Sequence, residues 1–167
     1  MSKAFTREDD ATDGTPLPPP VSSLPPGVKN YLTAAGAERL QGELDRLLTV
    51  DRPPLAARSD DLETRRALQA VDQRIRHLQQ SLRSAEVIAS RAGPKDTVHF
   101  GAEVTVREKD GSETSYRIVG VDEADPTEHR VSWRSPLAQA LLNARVGDRV
   151  TFQAPAGRQE LRIVTVK

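Results

Sequence analysis

Three carboxylates crowd one short stretch of the chain: Asp60, Asp61 and Glu63, inside the segment Pro54 to Arg66. Asp60 followed three residues later by Glu63 is an acidic version of the capping box. Both charges would also complement the positive end of a helix dipole. A second acidic group, Asp122, Glu123 and Asp125, lacks the regular oxygen-ligand spacing of a calcium loop and reads as a turn or a docking surface. His77, His99 and His129 fall on different elements with no shared ligand spacing, so zinc binding and general-base work are not expected of them. Arg65, Arg66, Arg74, Arg76 and Arg83 make one basic run, either a solvated helix face or a phosphate contact. There is no cysteine, which removes disulfides and thiolate metal sites. No nucleophile elbow, P-loop or Rossmann glycine pattern occurs.

These groups need elements to position them. Thr33 is a suitable N-cap for a helix starting at Ala34. Leu40, Leu44 and Leu47 then share one face, and Leu68, Val71, Ile75, Leu78 and Leu82 repeat the seam at spacings of three and four. Neither helix buries its stripe alone, so the two are expected to pair as an antiparallel hairpin. Its turn lies between Arg52 and Asp61, with Pro53 and Pro54 kinking or ending the first helix. Ahead of the hairpin, residues 1–28 read as a tail whose prolines at 16, 18, 19, 20, 25 and 26 favour extended backbone and a spacer role.

Gly93-Pro94 breaks the helical pattern, and beyond it the period changes to two. Val104 and Val106, then Tyr116, Ile118 and Val121, then Val131 and Trp133 read as short strands. Val150 and Phe152, and Leu161, Ile163 and Val166, continue the series. Lys109-Asp110-Gly111-Ser112 is a hairpin turn, and a helix spans about Pro136 to Asn143. The fold class is α+β. A helical hairpin over 29–92 precedes a twisted antiparallel sheet with one helix over 93–167.

The bulk numbers agree. With 29% charged and 4% aromatic residues, any core is aliphatic. Equal counts of 24 basic and 24 acidic residues argue against a general nucleic-acid coat protein, while leaving room for a local basic face. No apolar run approaches the roughly 18 residues of a membrane span, so a soluble cytoplasmic monomer is expected.

Several blocks then resemble one family. Tyr31-Leu32-Thr33, Gly36, Arg52-Pro53, Asp72, Arg74-Ile75 and Ala85-Glu86-Val87-Ile88 come in the first half. Phe100-Gly101-Ala102, Ile118-Val119-Gly120, Asp122-Glu123-Ala124-Asp125, Ser135-Pro136 and Gly147-Asp148 follow. Their order is similar to that of the Gre transcript cleavage factors, the GreA/GreB family. The opening residues and Leu24 to Asn30 look like the GreB branch with an N-terminal extension.

The resemblance implies a coiled-coil hairpin followed by an FKBP-like domain. It implies that the globular domain docks on the secondary channel rim of RNA polymerase, with Asp122, Glu123, Asp125, Ser135 and Pro136 as docking candidates. It implies a hairpin reaching toward the catalytic Mg²⁺, where the family's acidic tip lends ligands to the polymerase's own RNA cleavage. The factor itself is then no enzyme and has no cofactor of its own. Arg65, Arg66 and Arg74 become candidates for contact with the nascent RNA 3′ end.

The tip departs from the family pattern. No Glu-Asn pair and no Tyr occur between Pro54 and Arg66. The segment is about ten residues short, or roughly 8 Å of reach per arm at 1.5 Å per residue. Metal coordination works within about 2–2.5 Å, so weak or absent cleavage stimulation is expected. The alternatives are a full cleavage factor with Asp60, Asp61 and Glu63 as substitute ligands, an FKBP-like prolyl isomerase, and a coiled-coil adaptor. Phe100, Tyr116, Trp133 and Phe152 are too few and scattered for an isomerase pocket.

Overall fold

The computed structural model describes residues 24–58, 60–89, 94 and 96–167. Most of the predicted tail, and Gly93 of the predicted linker, lie outside them. The chain is mixed helix and sheet. β1 (Asn30–Thr33) leads into α1 (Ala34–Arg46), and Thr33 caps that helix by accepting the Gly36 N–H, as its residue type predicts. A π turn, Leu47–Asp51, joins α1 to α2 (Arg52–Ala57). After the tip, α3 (Leu62–Ser84) returns and runs into β2 (Ala85–Ile88), which pairs parallel with β1.

Pro53 and Pro54 do not end the first arm. In the π turn the Arg52 N–H bonds to the Leu47 carbonyl, so the α ladder is already interrupted. The prolines then fall in the first turn of α2, where the ladder has already been shifted by the π turn and the proline φ already suits a helix.

The hairpin core is concentrated at its base. Leu40 and Leu44 of α1 meet Ile75 and Leu78 of α3, and Leu32 of β1 closes the bottom. Leu47, Val71 and Leu82 are partly buried. Neither the π turn nor α2 contributes a buried residue, and Val50 and Leu62 are 59% and 63% exposed. Ion pairs close the outside: Arg74 holds both oxygens of Glu43 at 2.7 and 2.9 Å, and Arg52 reaches Asp72 at 2.7 Å.

The second unit is a five-stranded sheet in the order β5-β4-β3-β7-β6. Its strands are β3 (Glu103–Arg107), β4 (Glu113–Val119), β5 (Arg130–Ser132), β6 (Arg149–Ala154) and β7 (Gly157–Val166). Val104, Val106, Ile118, Leu161 and Ile163 face the core, together with Ala138 and Leu141 of α4 (Pro136–Leu141). The sheet is mixed, not wholly antiparallel, because β4 and β5 run parallel. Parallel neighbours need a crossover. Here it is the loop 120–129, with 3₁₀ turns at Val121–Glu123 and Pro126–Glu128. Val121 and Trp133, predicted as strand residues, lie just outside β4 and β5. Among the described residues no helix is long and apolar enough to cross a membrane.

The buried base and thin tip predict opposite outcomes for two leucines. Leu78 is 0% exposed, so Leu78→Ala should cost about 2–5 kcal/mol. Leu62→Ala should stay within about 0.5 kcal/mol. Urea denaturation followed by circular dichroism measures both.

Candidate functional site

The crossover loop between β4 and β5 plugs into the base of the hairpin. Glu123, 2% exposed, carries a carboxylate that accepts three hydrogen bonds. The Thr33 N–H donates at 2.8 Å, the Thr33 hydroxyl at 2.5 Å and the Gly120 N–H at 3.0 Å. The same Thr33 hydroxyl oxygen accepts the Gly36 N–H at 2.9 Å. The buried charge therefore sits at the positive end of α1, with donors replacing lost water. Two glycines make room for it. A Cβ on Gly36 would fall inside the Glu123 carboxylate, and one on Gly120 would strike the Tyr31 carbonyl.

Asp122 engages the other arm. The Ser81 hydroxyl of α3 donates to its Oδ2, and His77 Nε2 stands 3.2 Å from its Oδ1. That second contact has ion-pair distance but not hydrogen-bond direction, since Oδ1 has no hydrogen-bond partner among the described residues. Asn30 completes the seam by donating from Nδ2 to the Ser81 carbonyl at 3.0 Å. Tyr31 packs edge-on against Trp133, with ring centroids 5.5 Å apart, and lies 6.0 Å from Phe100. Trp133 thus packs against β1.

Asp122 and Glu123 are therefore internal groups, not the surface residues expected of a docking patch. Asp125 is a turn residue. It accepts from the Thr127 N–H and hydroxyl and pairs with Arg130 at 3.1 Å. The Thr127 hydrogen bonds hold its carboxyl below the usual carboxylate range, and the Arg130 charge adds to this. Ser135 caps α4 by accepting the Ala138 N–H at 3.1 Å, and Pro136 opens that helix. Both line an open groove of about 480 Å³ with an apolar wall from Val131, Leu137, Phe152 and Pro155.

At the tip the cap is Asp61, not Asp60. Asp61 accepts the Thr64 N–H at 2.8 Å and the Thr64 hydroxyl at 2.7 Å. Thr64 thus takes the place expected of Glu63 in the capping pair. Asp60 and Glu63 are exposed beside it. Among the described residues, no three His, Cys, Asp or Glu side chains stand together as a metal site. The candidate RNA-contact arginines do not form one free cluster. Arg74 is committed to Glu43, and Arg65 donates to the Asp60 carbonyl at 3.3 Å, while Arg66 is exposed.

Residues 93–167 match the family model described as transcription elongation factor, GreA/GreB, C-term. The chain is 37% identical over 153 residues to a Neisseria meningitidis serogroup B protein named transcription elongation factor GreB, covering 83% of this chain and 94% of the relative. It is 41% identical over 151 residues to an Alkalilimnicola ehrlichii protein named transcription elongation factor GreA, covering 81% and 96%. The solved structure of the GreA factor homolog 1 protein of Thermus thermophilus overlays with a TM-score of 0.41 at 28% identity, over 84% of this chain and 99% of that one.

Gly36→Ala should destabilise the chain by at least about 2 kcal/mol, because displacing Glu123 leaves buried polar groups unpaired. Trp133 emission should shift as Tyr31 moves. Adding Glu123→Ala should cost less than the sum of the single changes, a coupling that a double-mutant cycle measures.

Hydrogen bonds from Thr64 lower the Asp61 pKa, so its ionised form is favoured by folding. That stabilisation is present above the unfolded carboxyl value of about 3.9 and fades as pH falls through the folded value. The protection of amides at the start of α3, taken relative to the intrinsic exchange rate at each pH, should therefore fall in acid, and Asp61→Ala should remove that fall.

Proposed function

The chain belongs to the GreA/GreB family of transcription elongation factors, and on that premise we propose that it binds RNA polymerase at the secondary channel and regulates elongation with little transcript cleavage. The observation that carries this reading is the short hairpin. α3 has 23 residues, which spans roughly 34 Å at 1.5 Å per residue. The tip carboxylate with the best-defined geometry, Asp61, is occupied by Thr64. A hairpin of this reach occupies a channel without delivering ligands to the polymerase's Mg²⁺, and so acts by competition or by biasing paused states.

The groove beside Ser135 and Pro136 is the proposed docking surface. Its apolar lining and exposed rim suit a protein partner better than a charged ligand. The factor supplies no reaction of its own, and any RNA cleavage remains the polymerase's. Substitute ligation by Asp60 and Glu63 is the competing reading, favoured by their exposure at the tip.

Stalled, backtracked complexes separate the two. The expected result is little release of short 3′ RNA fragments, and an effect on transcription that survives alanine at Asp60, Asp61 and Glu63 together. Prompt fragment release that this triple change abolishes would establish substitute ligation instead. Pro136→Asp places a charge in the groove at a helix position that tolerates it. It should weaken polymerase binding about tenfold or more, equivalent to about 1.4 kcal/mol.

A further inference from the structure

The neutral total of 24 basic and 24 acidic side chains hides a separation of charge on the sheet. With the aliphatic side chains turned into the core, the outward strand positions carry Arg107, Arg117, Arg130, Arg149, Arg158 and Arg162 against three glutamates. Arg107 of β3 and Arg149 of β6 are both direct cross-strand partners of Arg162 on β7. Three arginines thus stand side by side across three strands. Like charges placed opposite one another destabilise a sheet, and internal partners relieve this row only in part. Glu113 holds Arg107 at 2.6 Å. Glu160 stands 3.9 Å from both Lys109 and Arg149, beyond hydrogen-bond reach. Arg162 has no ion pair among the described residues. A shallow pocket of about 260 Å³ opens along the row.

We propose that this open sheet face binds the sugar–phosphate backbone of duplex nucleic acid, with Arg107, Arg149 and Arg162 as the phosphate contacts. Strands lie about 4.8 Å apart, so the row is a linear array of cations. A duplex offers a continuous line of charge, one phosphate per 3.4 Å of axis along each strand, dense enough to supply every cation of the row. Isolated carboxylates of a protein partner would duplicate what Glu113 and Glu160 already supply. The outward strand positions carry no aromatic side chain, so base stacking as in single-strand binders has no platform. Contact is therefore with the backbone and independent of sequence.

Fluorescence anisotropy of a labelled 20-base-pair DNA with the full chain, from 50 to 200 mM salt, tests this. Three phosphate contacts give a slope of log K against log salt of about −2.7. The combined Arg107→Ala, Arg149→Ala and Arg162→Ala variant should bind at least tenfold more weakly at 50 mM salt, with a slope near zero. Its melting temperature should be unchanged or higher, since the repulsion is gone. Lysine at the same three positions should retain most of the slope. Unchanged duplex binding by the alanine variant would overturn the proposal and move the contact to the α3 arginines. Absence of binding by the parent chain would overturn it, as would tighter binding of poly-glutamate than of the duplex at equal salt.

Discussion

The buried carboxylate of Glu123 is the central joint between the two halves of the molecule. Glu123 leaves the sheet on the β4–β5 crossover and ends beneath the first turn of α1, where Thr33 and Gly120 supply its donors. A carboxylate taken out of water without partners is strongly destabilising. The position is therefore tolerated only while the hairpin stays seated, and seating the hairpin requires the carboxylate. Gly36 and Gly120 belong to the same device, because side chains there would occupy the space that Glu123 and Tyr31 fill. Asp122 applies the same logic to the second arm through Ser81 and His77. Two adjacent acids thus hold two helices against one domain.

From that joint the hairpin loses cohesion with distance. Its buried leucines lie within the proximal turns, and the distal arm holds together through the Arg52–Asp72 pair, the π turn and the Asp61 cap. Exposed ion pairs contribute about 0–1 kcal/mol each, far less than a buried leucine. The molecule is therefore firm where it sets the direction of the hairpin and soft where the hairpin ends. The proposed channel insertion asks no more of the tip than this, and the proposed loss of metal ligation is consistent with a tip that buries no side chain in its π turn or α2.

Charge follows a similar division of labour. The acids at the joint are internal, the acids at the tip serve the helix end, and the arginines collect on the outward face of the sheet. A neutral total conceals this because it sums over faces that no single partner would meet together.

Local rules anticipated much of this. Thr33 as a cap, the seam of Leu40, Leu44, Ile75 and Leu78, and the Lys109–Ser112 turn each depend on neighbours within a few residues. The cap at the tip moved from Asp60 to Asp61 because adjacent carboxylates satisfy the same local rule, and Thr64 chose between them. Pro53 and Pro54 suggest a kink or an end to the first helix because the π turn just before them leaves no mark in residue type. The β1–β2 ladder was illegible for another reason: four-residue parallel strands far apart in sequence carry too little alternation to register. What the sequence by itself determined was the inventory: two amphipathic arms, an acidic tip between them, a run of strands, and family membership through ordered blocks. Only the tertiary structure decided that Asp122 and Glu123 face inward and that three arginines share one row. Both outcomes depend on strand pairing and crossover geometry, which bring distant residues together and cannot be read from either neighbourhood alone.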